Sequence, residues 1–304
     1  MGSMGGDPSI GVDIGGSKVL ALVVGEDGSV LEQVVASTPD RSTAPQVVED
    51  CIVETVSGLR ERHDVPAVGV GAAGFVDASR QRVVFAPHLS WRDEPLAARL
   101  TDRLGVPVTV DNDANAALWA EHRFGAARGV QDVVLITLGT GIGGALLVGG
   151  RTYRGHGGMA GEFGHMQVVP AGRPCECGRT GCWEQYCSGK ALARFTTEAG
   201  RPLQGPALTE AALAGDVVAR GAYQEVGHWL GTGIANVVAG LDPALVVIGG
   251  GVSAAGGLLL EPARTAFAAA LVAAEHRRLP AVVAARLGPS AGAIGAADLA
   301  RSAG

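Results

Sequence analysis

Residues 9–14, 19–24 and 30–36 are short runs rich in Val, Ile and Leu, separated by Gly15-Gly16 and by Glu26-Asp27-Gly28. Short apolar runs bounded by turn residues predict a three-stranded antiparallel meander. The period then changes. Val47, Val48, Cys51, Ile52, Thr55, Val56 and Leu59 recur at three-to-four spacing within 43–62, which predicts an amphipathic helix. A buried strand at 67–72 runs into Gly71-Ala72-Ala73-Gly74. Another at 106–110 ends in Asp111-Asn112-Asp113-Ala114-Asn115 and leads into a helix through about Arg123. After these the opening pattern returns as a strand at 132–138, a glycine turn and a strand at 142–148. Helices are expected at 188–195 and within 209–240, where Val226, Leu230, Ile234 and Val237 share one face. A strand at 244–248, a helix at 257–273, a last strand at 282–287 and a small-residue helix at 291–301 complete the reading.

The length of 304 residues, 47% of them hydrophobic, suits two α/β domains with ordinary cores. No run of eighteen apolar residues is present, so no membrane span is expected. The opening Met-Gly-Ser-Met-Gly-Gly-Asp-Pro reads as a cloning remnant rather than a signal peptide. A net charge of −6 without a basic run argues against a nucleic-acid partner, which needs clustered Lys and Arg. Of five cysteines, four fall between Cys175 and Cys187, a clustering that fits a reducing, cytoplasmic setting. Cys51 and Cys187 are expected to pack as small hydrophobes.

Three places carry candidate chemistry. His165, Cys175, Cys177 and Cys182 form a Cys3His set, whose thiolate and imidazole donors suit tetrahedral zinc. Four protein ligands leave no open position, so such a zinc would be structural; a disulfide or free thiols are the alternatives. Two turns, Asp13-Ile14-Gly15-Gly16-Ser17-Lys18 and Leu138-Gly139-Thr140-Gly141-Ile142-Gly143-Gly144, present adjacent backbone amides to a phosphate, and Asp13 can hold magnesium. A plain hairpin turn is the bland reading of the first. The second is not a Walker A loop, because no Gly-Lys-Ser/Thr closes it, nor a dinucleotide fingerprint, because a strand rather than a helix follows. Two such turns suggest similar halves gripping one nucleotide. Asp111, Asn112 and Asp113 lie where open α/β sheets place ligands, and each is equally a good helix cap.

Glu162-Phe163-Gly164-His165 and Cys175-x-Cys177-Gly-x-x-Gly-Cys182-Trp183-Glu184 resemble the motif and zinc loop of the ROK family of repressors, open reading frames and sugar kinases. The resemblance runs from Ile10 to the C-terminal helix. It implies the two-domain sugar-kinase/actin-like (ribonuclease H-like) α/β fold with a cleft between domains. The small domain would be 9–119 plus the helix at 291–303, and the large one 120–290 with the zinc loop at 165–182. It implies ATP-dependent phosphorylation of a hexose, glucose first, at its 6-hydroxyl, with Asp113 as base. Gly74, Asn112, Asp113, Glu162, His165 and Glu184 would bind the sugar. Asp13, Gly15, Gly16, Ser17, Lys18, Gly139, Thr140, Gly141, Gly250 and Gly251 would bind ATP with magnesium, Gly249–Gly251 lying at the adenosine. His165, Cys175, Cys177 and Cys182 would hold zinc, and the assembly would be a homo-oligomer, dimer or tetramer. Ser17 stands where the family has Thr, keeping the hydroxyl. His88 departs from a family Asn and reads as a solvated loop residue, and Asp111 as a cap or solvated charge. Kinases for N-acetylhexosamines, fructose or cyclitols, and polyphosphate-using glucokinases, share the scaffold. So do sugar-responsive repressors, but they carry a helix-turn-helix for which a first strand starting by Ser9 leaves no room.

Overall fold

The structure is a computed structural model that describes residues 7–302. Residues 1–6, most of the presumed cloning remnant, and residues 303–304 lie outside the described residues. The chain divides into two compact units. One contains the described residues through Gly129, Arg151–Ala160 and those from Pro289; the other is Val130–Gly150 and Gly161–Gly288. The expected boundary at 119/120 falls inside a continuous helix that runs to Phe124, and the division comes after it.

In the first unit β1 (Ser9–Ile14), β2 (Lys18–Val24) and β3 (Val30–Ser37) form the expected meander. They are followed by α1 (Pro45–Arg60), β4 (Val68–Ala72), a small sheet of β5 (Phe75–Val76), β6 (Val83–Phe85) and β7 (Arg92–Glu94), then α2 (Leu96–Leu104), β8 (Val108–Asn112) and α3 (Asp113–Phe124). The main sheet has the order β3-β2-β1-β4-β8, with β4 parallel to both β1 and β8. Side chains alternate across a strand, and β1 shows the result directly. Ile10, Val12 and Ile14 join Val48, Ile52, Val56, Leu59, Leu96 and Leu100 in one apolar core. Ser9, Gly11 and Asp13 face the other way, toward α8 (Ala291–Arg301).

α8 lies so close to this sheet that side chains are excluded at the contact. A Cβ on Gly11 would overlap the Ala293 carbonyl, one on Gly69 the Ala296 carbonyl, and one on Gly295 the Ala116 carbonyl of α3. Every residue from Ala291 to Ala300 is buried. Asp298 clamps the helix: its carboxylate accepts from Trp119 Nε1 (2.8 Å), Arg123 Nε (2.9 Å) and Arg301 Nη1 (2.9 Å). Asp298→Ala leaves these donors without their acceptor. We expect a loss of about 3 kcal/mol, at the lower end for a broken buried pair because Arg123 keeps access to water. That corresponds to a fall of roughly 6–12 °C in the thermal unfolding midpoint, read by circular dichroism. An unchanged midpoint would remove the clamp from the stability of this unit.

The second unit repeats the plan. β9 (Val133–Leu138) and β10 (Ile142–Val148) form an antiparallel hairpin. The two-residue β11 (Arg151–Thr152) opens the segment that returns to the first unit. β12 (Leu245–Gly249) lies parallel to β9 and to β13 (Ala281–Ala284), giving the order β10-β9-β12-β13. Its helices are α4 (Gly189–Glu198), α5 (Gly205–Leu213), α6 (Val217–Leu241) and α7 (Gly257–Ala270). α6 and α7 approach closely at Gly227 and Gly231, where added Cβ atoms would meet Pro262 and the Ala263 carbonyl. α7 stops at Ala270 rather than at 273, because the chain turns extended at Leu271 and left-handed at Ala273. No described helix is long and apolar enough to cross a membrane.

Candidate active site

In the first unit, register brings three aspartates to one end of the sheet. Asp13 pairs with Gly71 and Gly71 with Asp111, so the two carboxylates stand in one row on the same face with a side-chain-free position between them. The start of α3 packs over that position: a Cβ on Gly71 would lie 3.6 Å from the Asp113 Cα. Asn112 caps α3, its Oδ1 accepting from the N–H groups of Ala114 (2.9 Å) and Asn115 (3.1 Å). Its Nδ2 donates to the Gly74 carbonyl at 3.1 Å, which leaves one N–H for a ligand. Capping and binding are therefore compatible in this residue. Gly74 itself is fixed, since a Cβ there would meet the Phe85 carbonyl and Ala86.

The three carboxylates differ in their counter-charges. Asp111, read from sequence as a cap or solvated charge, is instead buried and ion-paired with Arg154. Asp13 is pushed up to about 7 by burial and by the charge of Asp113, with Lys18 pulling the other way. Asp113 is pushed up to about 6 by burial, against backbone and Asn112 hydrogen bonds that lower it. Among the described residues no ion pair reaches Asp113; one of its oxygens accepts from the Ala114 N–H at 2.9 Å. A partly buried carboxylate with no cation, poised near neutral pH, is what proton abstraction from a hydroxyl requires.

The turn after β1 is closed by Gly15 N–H donating to the Lys18 carbonyl (3.1 Å), and Gly16, Ser17 and Lys18 are exposed around it. Thr38 Oγ1 donates to the Gly15 carbonyl at 2.8 Å and steadies it. His88 is exposed, as expected, with its Cβ against Gly16.

In the second unit, residues distant in sequence converge on the start of β10. Gly164 of the Glu162–His165 turn packs on Ile142, where a Cβ would meet the Ile142 carbonyl, and Gly144 packs under Phe163. Glu184 Oε2 accepts from the Ile142 N–H at 2.8 Å, and its carboxylate fills the space a Cβ on Gly141 would take. The Gly139 carbonyl accepts from the Gly189 N–H (2.8 Å). The segment 184–189 thus brackets the turn Gly139-Thr140-Gly141, a link for which the sequence carries no local signal. Gly250, at φ +79°, lies against Leu138 so closely that any side chain would overlap the backbone, which sets the Gly249–Gly251 loop beside the same turn. A 3-10 turn, Gly251–Ala255, precedes α7 rather than the helix starting at once.

His165, Cys175, Cys177 and Cys182 offer ligand atoms that all lie within 4.8 Å of one another. No disulfide joins the described cysteines, and the Sγ atoms of Cys177 and Cys182 stand 3.6 Å apart. Nδ1 of His165 faces Cys175 Sγ at 3.8 Å, so Nε2 is the nitrogen left over. A tight turn, with Gly178 N–H donating to the Cys175 carbonyl (3.0 Å), brings Cys175 and Cys177 to one side. The buried Trp183 anchors the far end of the loop: its indole N–H donates to the Trp229 carbonyl (2.8 Å) and its ring lies against Gly233. Cys187 is fully buried and Cys51 half-buried, both as packing residues.

The model of the ROK family matches residues 9–303. The chain belongs to the ROK family. Among ROK relatives it is 44% identical to a glucokinase of Streptomyces coelicolor, over 96% of this chain and 97% of that one. A ROK glucokinase from Streptomyces griseus, solved in complex with glucose and AMPPNP, is similar at a TM-score of 0.89 and 45% identity, covering 97% of this chain and 99% of that one. The ROK hexokinase of Thermus thermophilus is similar at a TM-score of 0.81 and 34% identity, covering 97% and 98%. The α/β sugar-kinase fold and the phosphotransferase class expected from the motifs therefore stand.

Proposed function

We infer that the protein is an ATP-dependent glucokinase, transferring the γ-phosphate of ATP to the 6-hydroxyl of glucose. The observation that carries the reading is Asp113, a carboxylate raised by burial that no ion pair reaches among the described residues, just after a strand end in a chain 45% identical to a protein solved with glucose and AMPPNP. Asp113 accepts the hydroxyl proton as the oxygen attacks phosphorus. Asn112, through its spare N–H, and Glu162, His165 and Glu184 offer the donors and acceptors that a ring of hydroxyls needs, and each unmet partner penalises a wrong sugar. Nε2 of His165 carries its proton toward the sugar if Nδ1 faces the metal. The amides of Gly15–Lys18 and Gly139–Gly141, with Lys18 and Thr140, neutralise phosphate charge, and Gly250 and Gly251 lie under the adenosine.

Two metals fit these residues. The compact Cys3His donor set suits zinc, which supplies rigidity to the loop between His165 and Glu184 and takes no part in the chemistry. Asp13, raised by burial and then by the neighbouring Asp113 charge, would hold magnesium, which would screen the phosphates when nucleotide is bound. Its substrates and clustered cysteines suit the cytoplasm.

The test is ADP release with magnesium-ATP against glucose, mannose, fructose, N-acetylglucosamine and N-acetylmannosamine, with polyphosphate tried separately by product detection. Turnover dominated by glucose is expected. The same assay across pH reads the base: below its pKa Asp113 already holds a proton and cannot accept one, so kcat/KM falls as pH drops through about 6. Preference for another sugar would reassign the substrate, and a flat profile between pH 5 and 7 would take Asp113 out of the role.

A further inference from the structure

The buried pair Asp111–Arg154 has no part in the chemistry described above, yet it sits beside Asp113. Arg154 Nε donates to both oxygens of Asp111, at 3.2 and 3.0 Å, and Nη2 donates to Oδ2 as well. Their side chains are 19% and 3% exposed. The rest of Asp111 is spent locally: Oδ1 accepts from the Asn112 N–H (2.9 Å) and from Asn115 Nδ2 (3.2 Å). One carboxylate therefore holds the first turn of α3, and with it Asn112 and Asp113, while gripping a residue 43 positions later.

Arg154 opens a closed loop. Its carbonyl accepts from the Ala160 N–H at 3.0 Å, and Gly158, at φ +87°, lies against Val76–Ala78 so tightly that any side chain would overlap the backbone. The glycine-rich loop Gly155–Ala160 is thereby hung on the end of β8, two residues before the Glu162–His165 turn begins in the chain. We propose that Asp111 and Arg154 are a positioning pair for sugar phosphorylation, fixing this loop against the Asn112–Asp113 turn. The inference rests on the glucokinase reading.

The test is steady-state kinetics of Arg154→Met and Asp111→Asn, with folding followed by circular dichroism. Arg154→Met is expected to raise the glucose KM and lower kcat by roughly ten- to a hundredfold, with the ATP KM unchanged. Folded single variants with a wild-type glucose KM, or an ATP KM that rises in step, would overturn the proposal. Should Arg154→Met not fold, Arg154→Lys keeps the charge and loses the fork. A raised glucose KM with an unchanged ATP KM supports the pair, and wild-type kinetics overturn it. A wild-type protein that phosphorylates no hexose would instead sink the glucokinase reading.

Discussion

Asp113→Ala lowers kcat for glucose phosphorylation by ~10²–10⁴-fold while the protein stays folded and still binds glucose. The size follows from the absence of a substitute. Asp111 is committed to Arg154, and Asp13 lies in the field of Lys18 with its own pKa near 7. The folding expectation follows from the sign of the shift. Burial raises the Asp113 pKa to about 6, so at neutral pH the folded state carries a carboxylate that would ionise more readily in the unfolded chain. That charge disfavours folding in full above about pH 6, and the disfavour is relieved as pH falls from the folded value towards the unfolded one, so its removal does not weaken the protein at working pH. Steady-state kinetics with glucose calorimetry check both halves. Near-normal turnover would strike Asp113 from the mechanism.

Loss of the Cys3His site has the second large effect. Metal analysis of the purified protein should find about one zinc per chain, and Cys177→Ser should lose it together with glucose affinity, by roughly a hundredfold. The route is structural. Cys182 is two residues from Glu184, whose carboxylate holds the Ile142 N–H and packs on Gly141. Once the loop loosens, a sugar acceptor and a support of the phosphate turn go together, so the ATP KM rises as well. Trp183, locked under Gly233, limits the damage to the loop and spares α6. A metal-free, fully active wild type would refute the zinc assignment, and a Cys177→Ser protein with an unchanged ATP KM would refute the link through Glu184.

The parts legible in the sequence were those encoded locally. Alternation of Ile10, Val12 and Ile14 against Ser9, Gly11 and Asp13 marks a strand, and Gly15-Gly16 marks its turn. The Cys3His set announces itself by composition. Strand ends were less exact: the last strand stops at Ala284, where the expectation ran to 287. What stayed hidden depends on distant partners. Asp111 looks like any capping acid until a guanidinium 43 residues on is seen to bury it. The Glu184 bond to a backbone N–H leaves no trace in residue type. The one overlooked hint was the non-apolar face of β1, where Ser, Gly and Asp in alternate positions announce a surface that takes another backbone rather than side chains.

That surface has a consequence for the order of synthesis. The sheet whose first strand is made at Ser9 finds its cover only when translation has reached Ala291–Arg301. Until then Gly11 and Gly69 line an open trough, while Val130–Gly150 and Gly161–Gly288, made earlier than α8, can already fold around β9 and β12. The unit begun first is the unit finished last, so its sheet face stays uncovered while the whole of the second unit is made.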